Sequence, residues 1–256
     1  MKVSPVKTGK IVAGQDLYSL LDTCLETCEE KSLLAITSKI VALCEGRIAS
    51  MDADKKALIQ QEAEYYLPHE ESRYNTTLAI KGNIIVPAAG VDESNGNGCY
   101  VLWPLDPQKS ANEIRSYLRK RFFLKHAGVL ITDSRTTPLR RGTTGVGIAH
   151  SGFSAIKNYI GRKDVFGRTM KITRANILDA LAAAAVVVMG EGAEQTPLAV
   201  LEDIPLVAFQ ERNPTRKELQ DLSISIEDDL YAPILKRAKW KKGGQYKKSF
   251  YSEANK

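Results

Sequence analysis

Leu17, Leu20, Leu21, Cys24, Leu25 and Cys28 recur at helical spacing behind Gly14-Gln15-Asp16, which predicts a first helix from Asp16 to about Glu30. Leu33 to Ile36 is an unbroken apolar run and reads as a buried strand. A polar helix is expected from Lys55 to Tyr66, followed by a hairpin of Thr77 to Ile80 and Ile84 to Val86 turning at Lys81-Gly82-Asn83. Gly90 to Gly98 is a loop of small polar residues with more backbone freedom than a simple turn requires. Ser110-Ala-Asn-Glu113 is a capping-box sequence ahead of Ile114, Tyr117, Leu118 and Phe122, predicting a helix to about Phe123.

The next apolar run, Gly128 to Thr132, reads as a strand ending at Asp133, and Thr143 to Phe153 as a strand punctuated by glycine. Thr173 is placed to cap an alanine-rich helix that ends near Met189-Gly190. Leu198 to Leu201 and Leu206 to Phe209 then close the sheet as strands. Strands and helices mix without a strict βαβ alternation, so the expected class is α/β with a mixed sheet (α+β) rather than a doubly wound one.

At 256 residues and 43% hydrophobic content the chain can bury a substantial core, which excludes a disulfide-stapled miniprotein. The net charge of +6 suggests nucleic acid until its distribution is read. Residues 236–256 hold eight Lys/Arg against the single acid Glu253, leaving 28 basic and 29 acidic groups in residues 1–235. The organisation expected is one domain over 1–235 and a basic, flexible tail over 236–256. Cys24, Cys28, Cys44 and Cys99 form no C-x-x-C pair, and neither a signal peptide nor a membrane span is visible, so a reduced cytoplasmic protein is expected.

Asp133 stands where an apolar strand opens into a loop, the place where α/β proteins present reactive groups. Asp92, in the glycine-flanked loop before it, offers a second hard oxygen. Two carboxylates on separate loops, completed by water, suit Mg²⁺ or Mn²⁺. Arg140 and Arg141 precede Gly142-Thr-Thr-Gly-Val-Gly147, a composition suited to triphosphate oxygens. No Walker A sequence occurs, since Thr8-Gly9-Lys10 is followed by Ile11. Glu191, on the loop behind the alanine-rich helix, is a further candidate metal ligand. Covalent hydrolase chemistry is disfavoured, as there is no Gly-x-Ser-x-Gly elbow; His69 and His126 are scattered and only His150 is expected near the site.

Four segments together resemble the coenzyme F420-0:γ-glutamyl ligase family. They are Thr37-Ser-Lys-Ile-Val41 with Glu45-Gly-Arg47, Gly90-Val-Asp-Glu-Ser-Asn95, Thr132-Asp-Ser134 through Arg140, and Asp179 to Ala185 through Met189-Gly-Glu191. The resemblance spans roughly residues 5 to 205 and implies that family's mixed-sheet fold. It also implies a homodimeric ligase dependent on a divalent metal and GTP, with ATP the other nucleotide considered. By position it implies metal ligation by Asp92, Asp133, Ser134 and Glu191, and nucleotide contacts from Thr8, Gly9, Lys10, Ile11, Ser38, Lys39, Asn95, Met189 and Gly190. Arg140 and Arg141 are expected to be catalytic, binding phosphate or the carboxylates of incoming L-glutamate. Departures from the family pattern occur at Leu43, Leu139 and Thr8-Gly9-Lys10-Ile11.

Asp133-Ser-Arg-Thr-Thr-Pro-Leu-Arg-Arg141 and Glu227 to Pro233 resemble a branch assigned to folate metabolism, which ranks a folate first as glutamate acceptor and F420-0 second. A rival reading is an RNA-binding protein acting through the basic tail, where Trp240, Tyr246, Phe250 and Tyr251 interleave with lysines. The near-neutral body offers no continuing basic groove, so nucleic acid is not the expected partner.

Overall fold

The apolar run at Leu33 to Ile36 has no polar face to give to water, so it must be covered on both sides. The computed structural model, which describes residues 1–68, 70 and 74–244, shows how. A five-stranded sheet runs in the order β1 (Lys2–Val6), β12 (Leu198–Glu202), β2 (Ser32–Thr37), β8 (Ala127–Thr136) and β9 (Thr143–Ser151). Strands β2 and β8 are parallel, with Thr37 opposite Thr132, so both reach the same end of the sheet; the other pairings are antiparallel.

Alternation along the central strands divides the core. Leu34, Ile36, Val129 and Ile131 face a cluster fed by α1 (Leu17–Cys24), α2 (Ser38–Cys44) and α4 (Pro107–Arg121). Leu33, Ala35, Leu130 and Ala199 face α5 (Ile177–Met189) instead. That helix lies almost on the backbone of β9. A Cβ at Gly145 would stand 2.4 Å from the Ala182 carbonyl oxygen, and one at Gly147 2.4 Å from Leu178 Cγ. These two glycines serve close helix-on-strand packing, not a flexible phosphate loop.

A smaller four-stranded sheet runs β13 (Lys241–Lys242), β4 (Tyr65–Tyr66), β5 (Leu78–Lys81), β6 (Ile84–Pro87). Its core joins α3 (Lys55–Glu62) through Ile59 and Ala63 to Ala79, Val91 and Tyr100. The β5–β6 turn uses Gly82 and Asn83 at φ 58° and 57°, the left-handed pair that a two-residue hairpin requires. A ribbon of β3 (Ile48–Ser50) and β7 (Cys99–Val101) leads back to the larger sheet, and β10 (Ile156–Asn158) pairs with β11 (Arg174–Asn176). The chain ends its described course through α6 (Arg216–Leu222), α7 (Ala232–Leu235) and β13. Among the described residues no helix is long and apolar enough to cross a membrane.

Several expected boundaries move, each for a local reason. Helix α1 stops at Cys24 because Leu25 leaves it extended and is buried directly in the core. Helix α4 begins a turn before Ser110: Asp106 caps it by accepting from the Lys109 N–H at 2.9 Å, and Pro107 occupies its first position. The Ser110 hydroxyl instead donates to Glu45 Oε1 at 2.7 Å. Asn176, not Thr173, caps α5, accepting from the Asp179 N–H at 3.0 Å. Helix α3 ends at Glu62, so that Tyr65–Tyr66 can enter the small sheet. Leu206 to Phe209 is no strand, for Leu206 has φ 68° and only Phe209 bridges to Phe153. The basic segment is not free from residue 236 onward, because Lys241–Lys242 pairs with β4 and Gly244 N–H donates to the Gln60 carbonyl at 2.7 Å. Tyr246, Phe250 and Tyr251 of the tail, and His69, lie outside the described residues.

Candidate active site

Strand β8 delivers Asp133 one residue past the parallel register with β2, next to a bulge between Ile131 and Thr132. Its Oδ1 accepts from the Ser134 N–H at 2.8 Å, and its Oδ2 accepts from the indole N–H of Trp103. Both donors are neutral. Burial therefore prevails, and the Asp133 carboxyl is pushed up to about 6, with the nearby Asp92 charge acting in the same direction.

Asp92 reaches the site on the segment that follows β6. The chain leaves β6 through Ala88, Ala89 and Gly90 with φ of 51°, 51° and 73°, three consecutive residues in the left-handed region. Such a conformation is costly for alanine and is held here by the burial of Ala89 and by Ala88 N–H donating to the Thr77 carbonyl at 2.7 Å. Asp92 then bridges to Val101, its N–H donating to the Val101 carbonyl at 2.9 Å. Its Oδ2 meets Lys39 Nζ at 2.6 Å, and it accepts from the Ser94 N–H and hydroxyl at 2.8 and 2.9 Å. Burial alone would raise this carboxyl; the Lys39 ammonium and the Ser94 donors outweigh it and hold Asp92 below the ordinary carboxylate range.

The two carboxylates share one cavity of about 760 Å³. Gly9, Lys10 and Ile11 line it from the segment after β1, Ser38 and Lys39 from the first turn of α2, and Asn95 from the loop after Asp92. Ser134, Met189, Gly190 and Glu191 complete the wall. Glu191 Oε1 accepts from the Ser134 hydroxyl at 2.7 Å and from the Thr143 hydroxyl at 3.3 Å, while Asn95 Nδ2 donates to the Gly192 carbonyl at 3.1 Å. Thr8 stands just outside the lining, its N–H donating to the Gln195 carbonyl at 3.0 Å.

Arg140 and Arg141 do not join this wall. They are exposed on the β8–β9 connection, where Leu139 takes a positive φ and lies fully in solvent. His150 is also away from the cavity, buried on β9 against Phe153, with its backbone carbonyl accepting from Gln108 Nε2 at 2.7 Å. Asp179 has a structural task, accepting from the Gly147 N–H at 3.1 Å and meeting Arg135 Nη2 at 3.4 Å, which ties α5 to β8 and β9. The residues that sequence reading passed over are Thr37, which caps α2 and lines the cavity, and Trp103, which holds Asp133. Thr37 opens the Ser-Lys motif and had a readable capping signal. Trp103 had none.

Among the described residues no three His, Cys, Asp or Glu side chains are grouped as a cage for a metal ion. Asp92 from its loop, Asp133 from strand β8, the Ser134 hydroxyl and the neighbouring Glu191 form a different donor set, all hard oxygens. Its chemistry fits a Mg²⁺-type ion that keeps several waters.

Comparison with known proteins gives a consistent result. A family described as F420-0:Gamma-glutamyl ligase matches residues 5–203. The coenzyme F420:L-glutamate ligase of Methanopyrus kandleri is 33% identical over 222 residues, covering 80% of this chain and 87% of that protein. That of Methanococcus maripaludis strain C6 is 34% identical, covering 82% and 90%. The Archaeoglobus fulgidus protein of the same name is 30% identical over 255 residues, covering 93% and 98%.

Proposed function

The chain belongs to the F420-0:gamma-glutamyl ligase family of amide-bond-forming enzymes, and from this we propose that it joins L-glutamate to an acceptor carboxylate at the expense of a nucleoside triphosphate. The observation that carries the reading is the convergence of Asp92 and Asp133, 41 positions apart in the chain and borne by a loop and a strand, on a single cavity also lined by Ser38, Lys39, Asn95 and Glu191.

A carboxylate is a poor electrophile, so it must first be activated. An acceptor carboxylate oxygen attacks the γ-phosphorus, the bond to the nucleoside diphosphate breaks, and an acyl phosphate forms. The glutamate amine then attacks the carbonyl carbon, phosphate leaves, and the nitrogen loses its proton. Asp92 and Asp133, with the Ser134 hydroxyl and Glu191, would hold Mg²⁺ or Mn²⁺. Such an ion neutralises triphosphate charge and helps align the transferred group. Lys39 supplies a fixed positive charge beside the phosphates, while the Gly9 to Ile11 segment, Ser38, Asn95, Met189 and Gly190 shape the nucleotide's berth. GTP is favoured over ATP by the family resemblance.

Arg140 and Arg141, outside the wall, are assigned to capturing the carboxylates of incoming glutamate from solvent. A bidentate guanidinium role predicts that Arg140→Lys raises the KM for glutamate although charge is kept.

The names of the relatives favour F420-0 over a folate as acceptor, which reverses the order expected from residues 133–141 and 227–233. The test incubates the protein with glutamate, Mg²⁺ or Mn²⁺, GTP or ATP, and F420-0 or tetrahydrofolate in parallel. Mass spectrometry is expected to show F420-0 gaining glutamyl units with one nucleoside diphosphate released per unit. Glutamylation of tetrahydrofolate alone would restore the folate acceptor, and no product on either would overturn the proposal. A homodimer is expected, and sedimentation equilibrium measures it.

A further inference from the structure

Trp103 follows β7 and is 2% exposed, and its indole Nε1 donates to Asp133 Oδ2. Everything around the ring fixes that atom. Arg47 Nε donates to the Trp103 carbonyl at 3.2 Å, and Lys81 Nζ stands 5.1 Å from the ring centroid. Lys81 is wholly buried and donates to Glu62 Oε2 at 2.8 Å, while Arg47 Nη2 donates to both Glu62 oxygens at 2.9 Å. On the Asp92 side the chain passes so close that a Cβ on Gly90 would lie 2.1 Å from Nε1. Buried charge clusters of this kind are expensive in desolvation and are seldom the cheapest way to stabilise a core. Here the cluster packs against a single indole that lies between the loop bearing Asp92 and the strand bearing Asp133.

We infer that Trp103 is the positioning residue of the cation site, aiming the Asp133 carboxylate through its indole N–H while the Arg47–Glu62–Lys81 cluster holds the indole in place. The inference rests on the metal assignment proposed above. The chemistry suits the role. An indole N–H donates and cannot accept or ligate, so it orients the carboxylate without competing for the ion. It is also neutral, so it leaves the carboxylate's negative charge for the cation, as a lysine at that place would not.

The test measures Mn²⁺ binding to the full chain from the electron paramagnetic resonance signal of the free ion, in wild type, Trp103→Phe, Asp133→Asn and the double variant. Loss of an outer-shell partner is expected to weaken Mn²⁺ binding by roughly 10- to 100-fold in Trp103→Phe. In the Asp133→Asn background the same change is expected to matter less than about twofold, because its target is gone. Unchanged affinity in Trp103→Phe, or an equal loss in both backgrounds, overturns the positioning role while leaving the metal assignment standing. Equal affinity in wild type and Asp133→Asn overturns the metal assignment and this inference with it. Should Trp103→Phe fail to fold, the indole ¹H–¹⁵N resonances decide the matter in Asp133→Ala. Trp103 is expected to move upfield, with Trp240, which donates to the Leu235 carbonyl at 2.8 Å, as the internal control. A Trp103 signal that stays in place overturns the inference.

Discussion

Asp92 and Asp133 are one kind of side chain in two settings. Asp92 rides a loop forced through three left-handed residues and already has a cation, Lys39, at 2.6 Å; its carboxyl is held below the ordinary range. Asp133 sits within strand β8, just past its parallel register with β2, offered only neutral N–H donors, and its carboxyl is pushed up to about 6. The contrast assigns different tasks. On the proposed function a divalent ion would gain most from Asp133, whose charge is otherwise poorly compensated, whereas at Asp92 it would compete with the Lys39 ammonium. Position comes from the sheet and adaptability from the loop.

The contrast is best broken at Asp133. Asp133→Asn is expected to reduce metal-dependent turnover by more than the roughly 100-fold upper end of an outer-shell loss, and Asp92→Asn by less than Asp133→Asn; steady-state rates across a Mn²⁺ series would show whether that order holds. Next in size is Gly90→Ala, which forces a side chain into Trp103 from a backbone at φ 73°. Overpacking and the left-handed penalty together give a destabilisation of about 2–4 kcal/mol, measurable by urea denaturation, and a midpoint equal to wild type would contradict the packing described.

His150 separates protonation of the fold from protonation of the site. It is 1% exposed, burial holds it down to about 4, and its Nδ1 lacks a hydrogen-bond partner among the described residues. The unfolded chain takes up this proton near pH 6.5 and the folded chain only near 4, so stability is lost as pH falls through that window, by up to about 3 kcal/mol. In His150→Phe the slope between pH 6.5 and 4 is expected to flatten, with kinetics at neutral pH unaffected. The smallest effect concerns Lys39→Met. With Lys39 and Asp92 side chains 23% and 46% exposed, the pair contributes less than about 1 kcal/mol to stability, so thermal unfolding should barely change while the KM for nucleotide rises. A large stability loss would mean that Lys39 is structural.

Periodicity and turn residues made the central strands, the β5–β6 hairpin and most helices legible, because a buried strand or an amphipathic helix writes its burial into consecutive residues. The segments around Ser38, Asp92, Asp133 and Glu191 stood out through their joint resemblance to the family, and all four residues line one cavity. Helix α2 escaped because its seven residues, Ser38–Cys44, are too few to show a helical period, and Ile40 to Leu43 reads as one more short apolar run. Arg140 and Arg141 were expected within the site from the glycine- and hydroxyl-bearing turn after them and from the family segment that ends at Arg140, yet the exposed turn at Leu139 carries them outside its wall.

What the chain determined by itself was the class of its elements and the stock of oxygen-bearing side chains, both properties of neighbours in sequence. Which of those side chains share a cavity was decided only in three dimensions. The approach of Asp92 to Asp133 depends on how two sheets dock, and Lys81, expected in a hairpin turn, is buried instead beneath Trp103 beside Glu62 and Arg47. No local pattern encodes such a contact, because its free energy comes from desolvation and packing between segments that have no periodic relation to one another.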